Sequence, residues 1–122
     1  VTIVSFGKII KEADKAADEL AKEGISCEII DLRTVRPMDY DAILNSVKKT
    51  NRLVILEEAW PFGNVATEIT FHVQNNAFDY LDAPIQKINT ADTPAPYSPV
   101  LLAEWLPNKD DVINAVKKVL YK

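Results

Sequence analysis

Apolar stretches alternate along the chain with stretches in which apolar positions recur every three to four residues. Continuous apolar stretches are typical of strands covered on both faces, and the recurring pattern is typical of helices with one buried face. Each parallel crossover needs a helix, so this alternation predicts an α/β protein with three α/β/α layers and a mainly parallel sheet. The predicted strands are 1–6, 25–32, 53–56 and 84–89, and the predicted helices are 8–23, 40–49, 64–74 and a last helix after residue 108.

Polar residues mark the expected ends of several helices. Asp39 and Asn64 each precede a helical pattern and are good N-cap residues. Asp110 and Asp111 open the last helix, where negative charge is favourable. The proline-rich stretch 93–99 is predicted to form neither a strand nor a helix interior.

Length and charge narrow the class of protein. The chain has 122 residues, enough for one domain with its own core, and residues 1–122 are interpreted as a single domain. Its 14 basic and 18 acidic residues are interspersed and give a net charge of −4, which argues against a nucleic-acid or anionic membrane surface. Cys27 is the single cysteine and lies in an apolar stretch, which favours a buried, unreactive thiol.

Residues that could do chemistry are few. The 3 glycines form no phosphate-binding motif, and no nucleophile elbow is present. Glu57 and Glu58 end a strand, but adjacent strand residues point to opposite faces, which favours a structural or subunit-contact role over acid–base catalysis. His72 is the only histidine and is interpreted as an ordinary surface or boundary residue. The residues therefore predict no catalytic, cofactor-binding or metal-binding site within this chain.

Aromatic residues near proline-rich loops are the more informative group. Two tryptophans in such a setting are as able to dock a partner as to fill a core. The aromatic residues concerned are Trp60, Phe62, Tyr97 and Trp105. A strand-end segment that contains two of them is predicted to be a subunit interface. Its residues are Glu57, Glu58, Trp60, Pro61 and Phe62.

Four segments, 31–39, 57–61, 78–84 and 91–97, occur in an order and spacing that resemble a known family. They are similar to the C-terminal domain of the β subunits of thiamine-diphosphate-dependent pyruvate dehydrogenases, within the transketolase C-terminal-domain superfamily. The resemblance covers the whole chain and implies a four-strand order of 2-1-3-4. It also implies that residues 1–122 are one domain of a longer β subunit.

The resemblance further implies a role in assembly and docking. The family's enzyme carries out oxidative decarboxylation of pyruvate and transfers the acetyl group to lipoyl groups, in the bacterial cytoplasm or the mitochondrial matrix. Thiamine diphosphate and magnesium belong to the intact enzyme and not to this domain. The partners that the resemblance implies for this domain are a second β subunit and two α subunits, in an α2β2 tetramer, and the peripheral subunit-binding domain of the acyltransferase. That last partner would be bound by Asp82, in the Leu-Asp-Ala-Pro motif, and by the terminal carboxylate on Lys122.

Two alternatives remain open on the sequence. The first is a free-standing binding or regulatory module with the same fold. The second is the β-subunit domain of a branched-chain 2-oxo acid or acetoin dehydrogenase. No residue that would contact a substrate is identifiable in the chain, so the sequence does not choose between these substrates.

Overall fold

The computed structural model describes residues 1–122 and has a four-stranded parallel sheet. The sheet order is β2-β1-β3-β4. The strands are β1 (Thr2–Ser5), β2 (Glu28–Asp31), β3 (Leu53–Leu56) and β4 (Gln86–Ile88). The helices are α1 (Ile10–Lys22), α2 (Tyr40–Thr50), α3 (Val65–Ala77), α4 (Pro99–Trp105) and α5 (Lys109–Val119), and a 3-10 turn spans Phe78–Tyr80. The predicted fold class and strand order are therefore confirmed.

β1 lies in the middle of the sheet and pairs with β2 on one side and β3 on the other. The same four residues of β1 make both pairings. Ile3 lies opposite Ile29 of β2 and Val54 of β3. β1 and β3 are fully buried, whereas every residue of β2 is partly exposed. β2 and β4 are the two edges of the sheet, so the strand predicted at 25–32 lies at an open edge.

Alternate side chains of the strands enter two separate cores, one on each face of the sheet. Ile3 and Val54 contribute to the core under α1 and α5, and Val4 and Ile55 to the core under α2 and α3. The period-2 alternation of strand side chains explains this division. The result is the expected arrangement of helix, sheet and helix layers.

The predicted caps are present. The Asp39 carboxylate accepts a hydrogen bond from the Ala42 N–H at 3.0 Å, and the Asn64 side-chain oxygen accepts one from the Thr67 N–H at 2.9 Å. Asn108 caps α5 in a capping box in which the Asp111 carboxylate accepts from the Asn108 N–H at 2.9 Å. These bonds satisfy N–H groups that have no partner within the helix.

The structure differs from the sequence predictions at element ends and at one helix. The strands predicted at 25–32 and 84–89 are shorter than expected. α4 was not predicted, because its start lies in the proline-rich stretch. Pro99 occupies the first turn of α4, where the missing N–H costs nothing. No helix of the structure has the length and apolar character that crossing a membrane requires.

Candidate functional site

An open groove lies at the carboxyl end of β3, where ligands and partners of parallel sheets commonly bind. It has a volume of about 700 Å³, and most of its lining is apolar. We call it the aromatic groove. Its main lining residues are Phe6, Glu58, Trp60, Phe62, Val65 and Trp105. The sequence-predicted aromatic residues thus meet here, except for Tyr97, which does not line the groove and is fully exposed.

The two tryptophans of the groove are held by a single carbonyl group. The Trp60 indole N–H donates to the Thr93 carbonyl at 2.9 Å, and the Trp105 indole N–H donates to the same oxygen at 2.8 Å. The polar atom of each indole is therefore satisfied inside the chain. What these rings offer to a partner is apolar surface in a fixed orientation.

The loop that carries Trp60 is also fixed through its backbone. The Asn64 side-chain amide donates to the Trp60 carbonyl at 2.7 Å, and the Lys87 ammonium donates to the Pro61 carbonyl at 2.9 Å. Trp60 nevertheless remains 51% exposed and Phe62 88% exposed. Exposed aromatic side chains on a constrained loop are typical of protein contact surfaces.

Glu57 is among the residues that surround the aromatic groove, but it exposes no surface to solvent. The sequence analysis predicted a subunit-contact residue at this position, and the burial of Glu57 differs from that prediction. Its carboxylate accepts from the Ala66 N–H at 3.2 Å and from the Asn89 amide at 3.0 Å. Burial raises the pKa of Glu57, and these hydrogen bonds oppose the rise. Glu57 thus connects the end of β3 to the start of α3 and the segment after β4.

Glu58 has the opposite environment from Glu57. Its side chain is exposed and lines the aromatic groove. This divergence follows the alternation expected of adjacent strand-end residues. Trp60, Pro61 and Phe62 are exposed at this end of the sheet as well. Their contact with another subunit stays a prediction.

A second surface lies at the opposite end of the sheet. We call it the docking corner and define it by Arg52, Asp82, Tyr121 and Lys122. The Asp82 side chain is 57% exposed, and its Oδ2 is 3.5 Å from Nη1 of Arg52. The Tyr121 hydroxyl donates to the Asp82 carbonyl at 3.3 Å. Lys122 follows Tyr121 and is exposed, and the proximity of its carboxylate to Asp82 stays a prediction.

An apolar groove of about 440 Å³ adjoins Asp82. Phe78, Pro84 and Tyr121 line it with Leu81 and Asp82. Leu81 is partly buried and packs against the core under α2 and α3. Phe78 is 61% exposed and Tyr121 is 73% exposed, so apolar surface borders the carboxylate.

The remaining residues that the sequence analysis singled out have structural environments. His72 is half-buried and its ring stacks on Tyr40, with centroids 3.8 Å apart. Cys27 is half-buried, and burial raises the pKa of its thiol, which lowers its reactivity at neutral pH.

No group of three His, Cys, Asp or Glu side chains is placed to hold a metal ion. Glu57, the fully buried carboxylate, already accepts hydrogen bonds from Ala66 and Asn89.

Comparison with known protein families shows to which family the chain belongs. The family model described as transketolase, C-terminal domain, matches residues 1–112. The chain belongs to the transketolase C-terminal domain family. This transketolase C-terminal domain also resembles a solved structure described as a split-gene transketolase, inactive β4 tetramer. The TM-score is 0.83 at 26% identity, with coverage of 98% of this chain and 38% of that one.

Curated relatives give a finer comparison for this transketolase C-terminal domain. It is 52% identical to the pyruvate dehydrogenase E1 component subunit beta of Rickettsia felis, over 99% of this chain and 37% of that protein. It is 54% identical to the same subunit of Rhizobium meliloti, over 99% and 26%. The mitochondrial subunit of Dictyostelium discoideum is 48% identical, over 98% and 33%. The domain thus spans between about a quarter and two fifths of these relatives, and the resemblance stated from the sequence is confirmed.

Proposed function

We propose that this chain is the assembly and partner-docking domain of a pyruvate dehydrogenase β subunit. The observation that carries the proposal is the match of about half of all residues to such subunits over 99% of the chain. The intact enzyme would use thiamine diphosphate and magnesium, held outside this domain, to decarboxylate pyruvate oxidatively and pass the acetyl group to a lipoyl group. It would act in the bacterial cytoplasm or the mitochondrial matrix, since the relatives include bacterial and mitochondrial subunits.

The aromatic groove supports the assembly part of the proposal. Glu58, Trp60 and Phe62 line the groove and are exposed, and Pro61 is exposed between the last two. The loop is already fixed by hydrogen bonds, so little conformational freedom would be lost when a neighbouring subunit covers it. We assign this surface to contacts with the second β subunit or the α subunits of an α2β2 tetramer. Glu57 would contribute from below, by holding the start of α3.

The docking corner supports the second part of the proposal. Asp82 and the carboxylate of Lys122 would bind basic groups of the peripheral subunit-binding domain of the acyltransferase. Asp82 is largely exposed, its carbonyl accepts from the Tyr121 hydroxyl, and an apolar groove adjoins it. A charge-assisted contact of this kind contributes about 1.5–3 kcal/mol, and salt weakens it.

The experiment that tests docking uses the assembled tetramer and the isolated subunit-binding domain in a calorimetric titration. Asp82→Asn keeps the shape of the side chain and removes its charge. We expect roughly ten- to hundredfold weaker binding with an unchanged melting temperature. Asp79→Asn, in the neighbouring 3-10 turn, is the matched control and should bind as the wild type does.

A different outcome identifies a purely structural role. Unchanged binding together with a lower melting temperature would mean that Asp82 only stabilises its loop.

Mass spectrometry of the native β subunit belongs to the same experiment, because a chain that continues past Lys122 would place the terminal carboxylate elsewhere. Activity of the tetramer towards pyruvate, branched-chain 2-oxo acids and acetoin decides the substrate class.

A further inference from the structure

Arg52 lies between the Asp82 carboxylate and the end of α5. Its Nη1 is 3.5 Å from Oδ2 of Asp82, and its Nε donates to the Val119 carbonyl at 2.9 Å. No other cation lies within 4 Å of the Asp82 carboxylate. The Arg52 side chain is 26% exposed, so it is partly shielded from water and held in place. The carboxylate proposed to bind a basic partner therefore already has a counter-ion in its own chain.

The guanidinium could either position the docking corner or compete with the partner, and the surrounding contacts distinguish these roles. The Asp82 N–H donates to the Asn51 carbonyl at 2.9 Å, and the Asp82 carbonyl accepts from the Tyr121 hydroxyl. Val119 is 1% exposed and belongs to the core under α1 and α5. These contacts hold the loop of Asp82 and the end of α5 when the Arg52 side chain is removed, and only its own hydrogen bond to the Val119 carbonyl is lost. Its removal would change the local charge more than the geometry.

The charge effect has a definite direction. The nearest approach of the Arg52 guanidinium is to Oδ2, and no side-chain hydrogen bond within the chain occupies either oxygen of the Asp82 carboxylate. A basic group of a partner that binds at Oδ1 would stand close to the Arg52 guanidinium and be repelled by it. For two like charges roughly 6 Å apart in a largely solvated setting, the repulsion corresponds to about three- to tenfold in affinity.

We propose that Arg52 is an intramolecular counter-ion of Asp82 that lowers the affinity of the docking corner for its basic partner. This inference rests on the proposed docking function and deepens it. It makes binding moderate and readily reversible without any change in the residues that contact the partner. It also means that the exposed carboxylate is not left free for unrelated basic molecules, because each of them meets the same repulsion.

The test again titrates the assembled tetramer with the subunit-binding domain. Arg52→Met and Arg52→Gln both remove the charge and keep a long side chain, and both should tighten binding about three- to tenfold. Arg52→Lys keeps the charge and should bind as the wild type does. Lys22→Met is the matched control, since Lys22 pairs with Glu19 on the distant helix α1 and should leave binding unchanged. The gain in affinity should shrink as salt rises.

A double variant separates this inference from the docking proposal. In an Asp82→Asn background, Arg52→Met should give no tightening, because the carboxylate on which the two cations converge is gone. If Asp82→Asn weakens binding but both neutral Arg52 variants bind as the wild type does or more weakly, docking stands and the role of Arg52 is overturned. If Asp82→Asn alone leaves binding unchanged, the docking proposal itself fails and takes this inference with it.

Discussion

Replacing Glu57 tests whether a buried carboxylate holds the aromatic groove together. Its side chain accepts from the Ala66 N–H at the start of α3 and from the Asn89 amide after β4. Glu57→Ala removes the acceptor for both donors and leaves a small cavity. Each buried donor without a partner costs about 1–3 kcal/mol, and Asn89 is only half-buried, so we expect the free energy of unfolding to fall by about 2–4 kcal/mol.

Glu57→Gln separates the hydrogen bonds from the charge. The glutamine oxygen can still accept from Ala66, and the Asn89 amide can turn to present its oxygen to the new donor. We expect a loss of at most about 1 kcal/mol at neutral pH. Urea unfolding followed by circular dichroism measures both variants. Glu58→Ala is the matched control, because Glu58 is adjacent and exposed, and surface changes of this kind usually stay within about 0.5 kcal/mol.

The raised pKa of Glu57 gives the pH dependence of this effect a sign. Burial is the main cause of the rise above the ordinary value of 4.5, so the folded state holds the proton more tightly than the unfolded state does. The stabilisation by this proton is complete below pH 4.5 and is lost as the pH rises through the folded pKa. Wild type should therefore gain stability relative to Glu57→Gln as the pH falls. A difference that is constant with pH, or that grows as the pH rises, would refute the reasoning, as would equal losses for Glu57→Ala and Glu58→Ala.

Two further predictions concern the groove and the last helix. Trp60→Ala should weaken tetramer assembly by about 2–4 kcal/mol and destabilise the domain less, whereas Phe71→Ala, 62% exposed on α3 outside the groove, should leave assembly unchanged. Analytical ultracentrifugation measures assembly and thermal unfolding measures stability. If Trp60→Ala destabilises the isolated domain as much as it weakens the tetramer, Trp60 is a core residue. Asn108→Ala should lower the free energy of unfolding by about 0.5–2 kcal/mol because it removes the capping box of α5, as urea titration would show. Ser98, the N-cap of α4, makes no side-chain capping bond, so Ser98→Ala should cost much less, and equal costs would contradict this account.

The fold was predictable because local signals and burial agree in most elements. The stretch 53–56 is apolar throughout and matches β3 residue for residue, since both faces of that strand are covered. Asp39 and Asn64 were recognisable as caps because a short polar side chain before an amphipathic pattern has few other uses. α4 escaped prediction, because proline at the first position of a helix resembles the proline of an irregular loop.

The candidate sites were predictable only in part. Glu57 and Glu58 are both glutamates, and the sequence places both at the end of a strand. It does not show that Ala66 and Asn89 donate hydrogen bonds to Glu57 alone. The exposure of Trp60 and Phe62 depends on how Asn64 and Lys87 hold the loop, and Lys87 reaches it from β4. Arg52 carried no signal in the sequence.

The two tryptophans of this chain are its only ones, and both donate to the same carbonyl of Thr93. Their fluorescence in the unmodified protein therefore reports on one place, the aromatic groove, and not on the fold as an average. Displacement of the loop at Thr93 would alter both emitters together, and coverage of the groove would shift the emission of Trp60 without an engineered label. The chain thus contains its own probe for the surface at which subunit assembly is proposed.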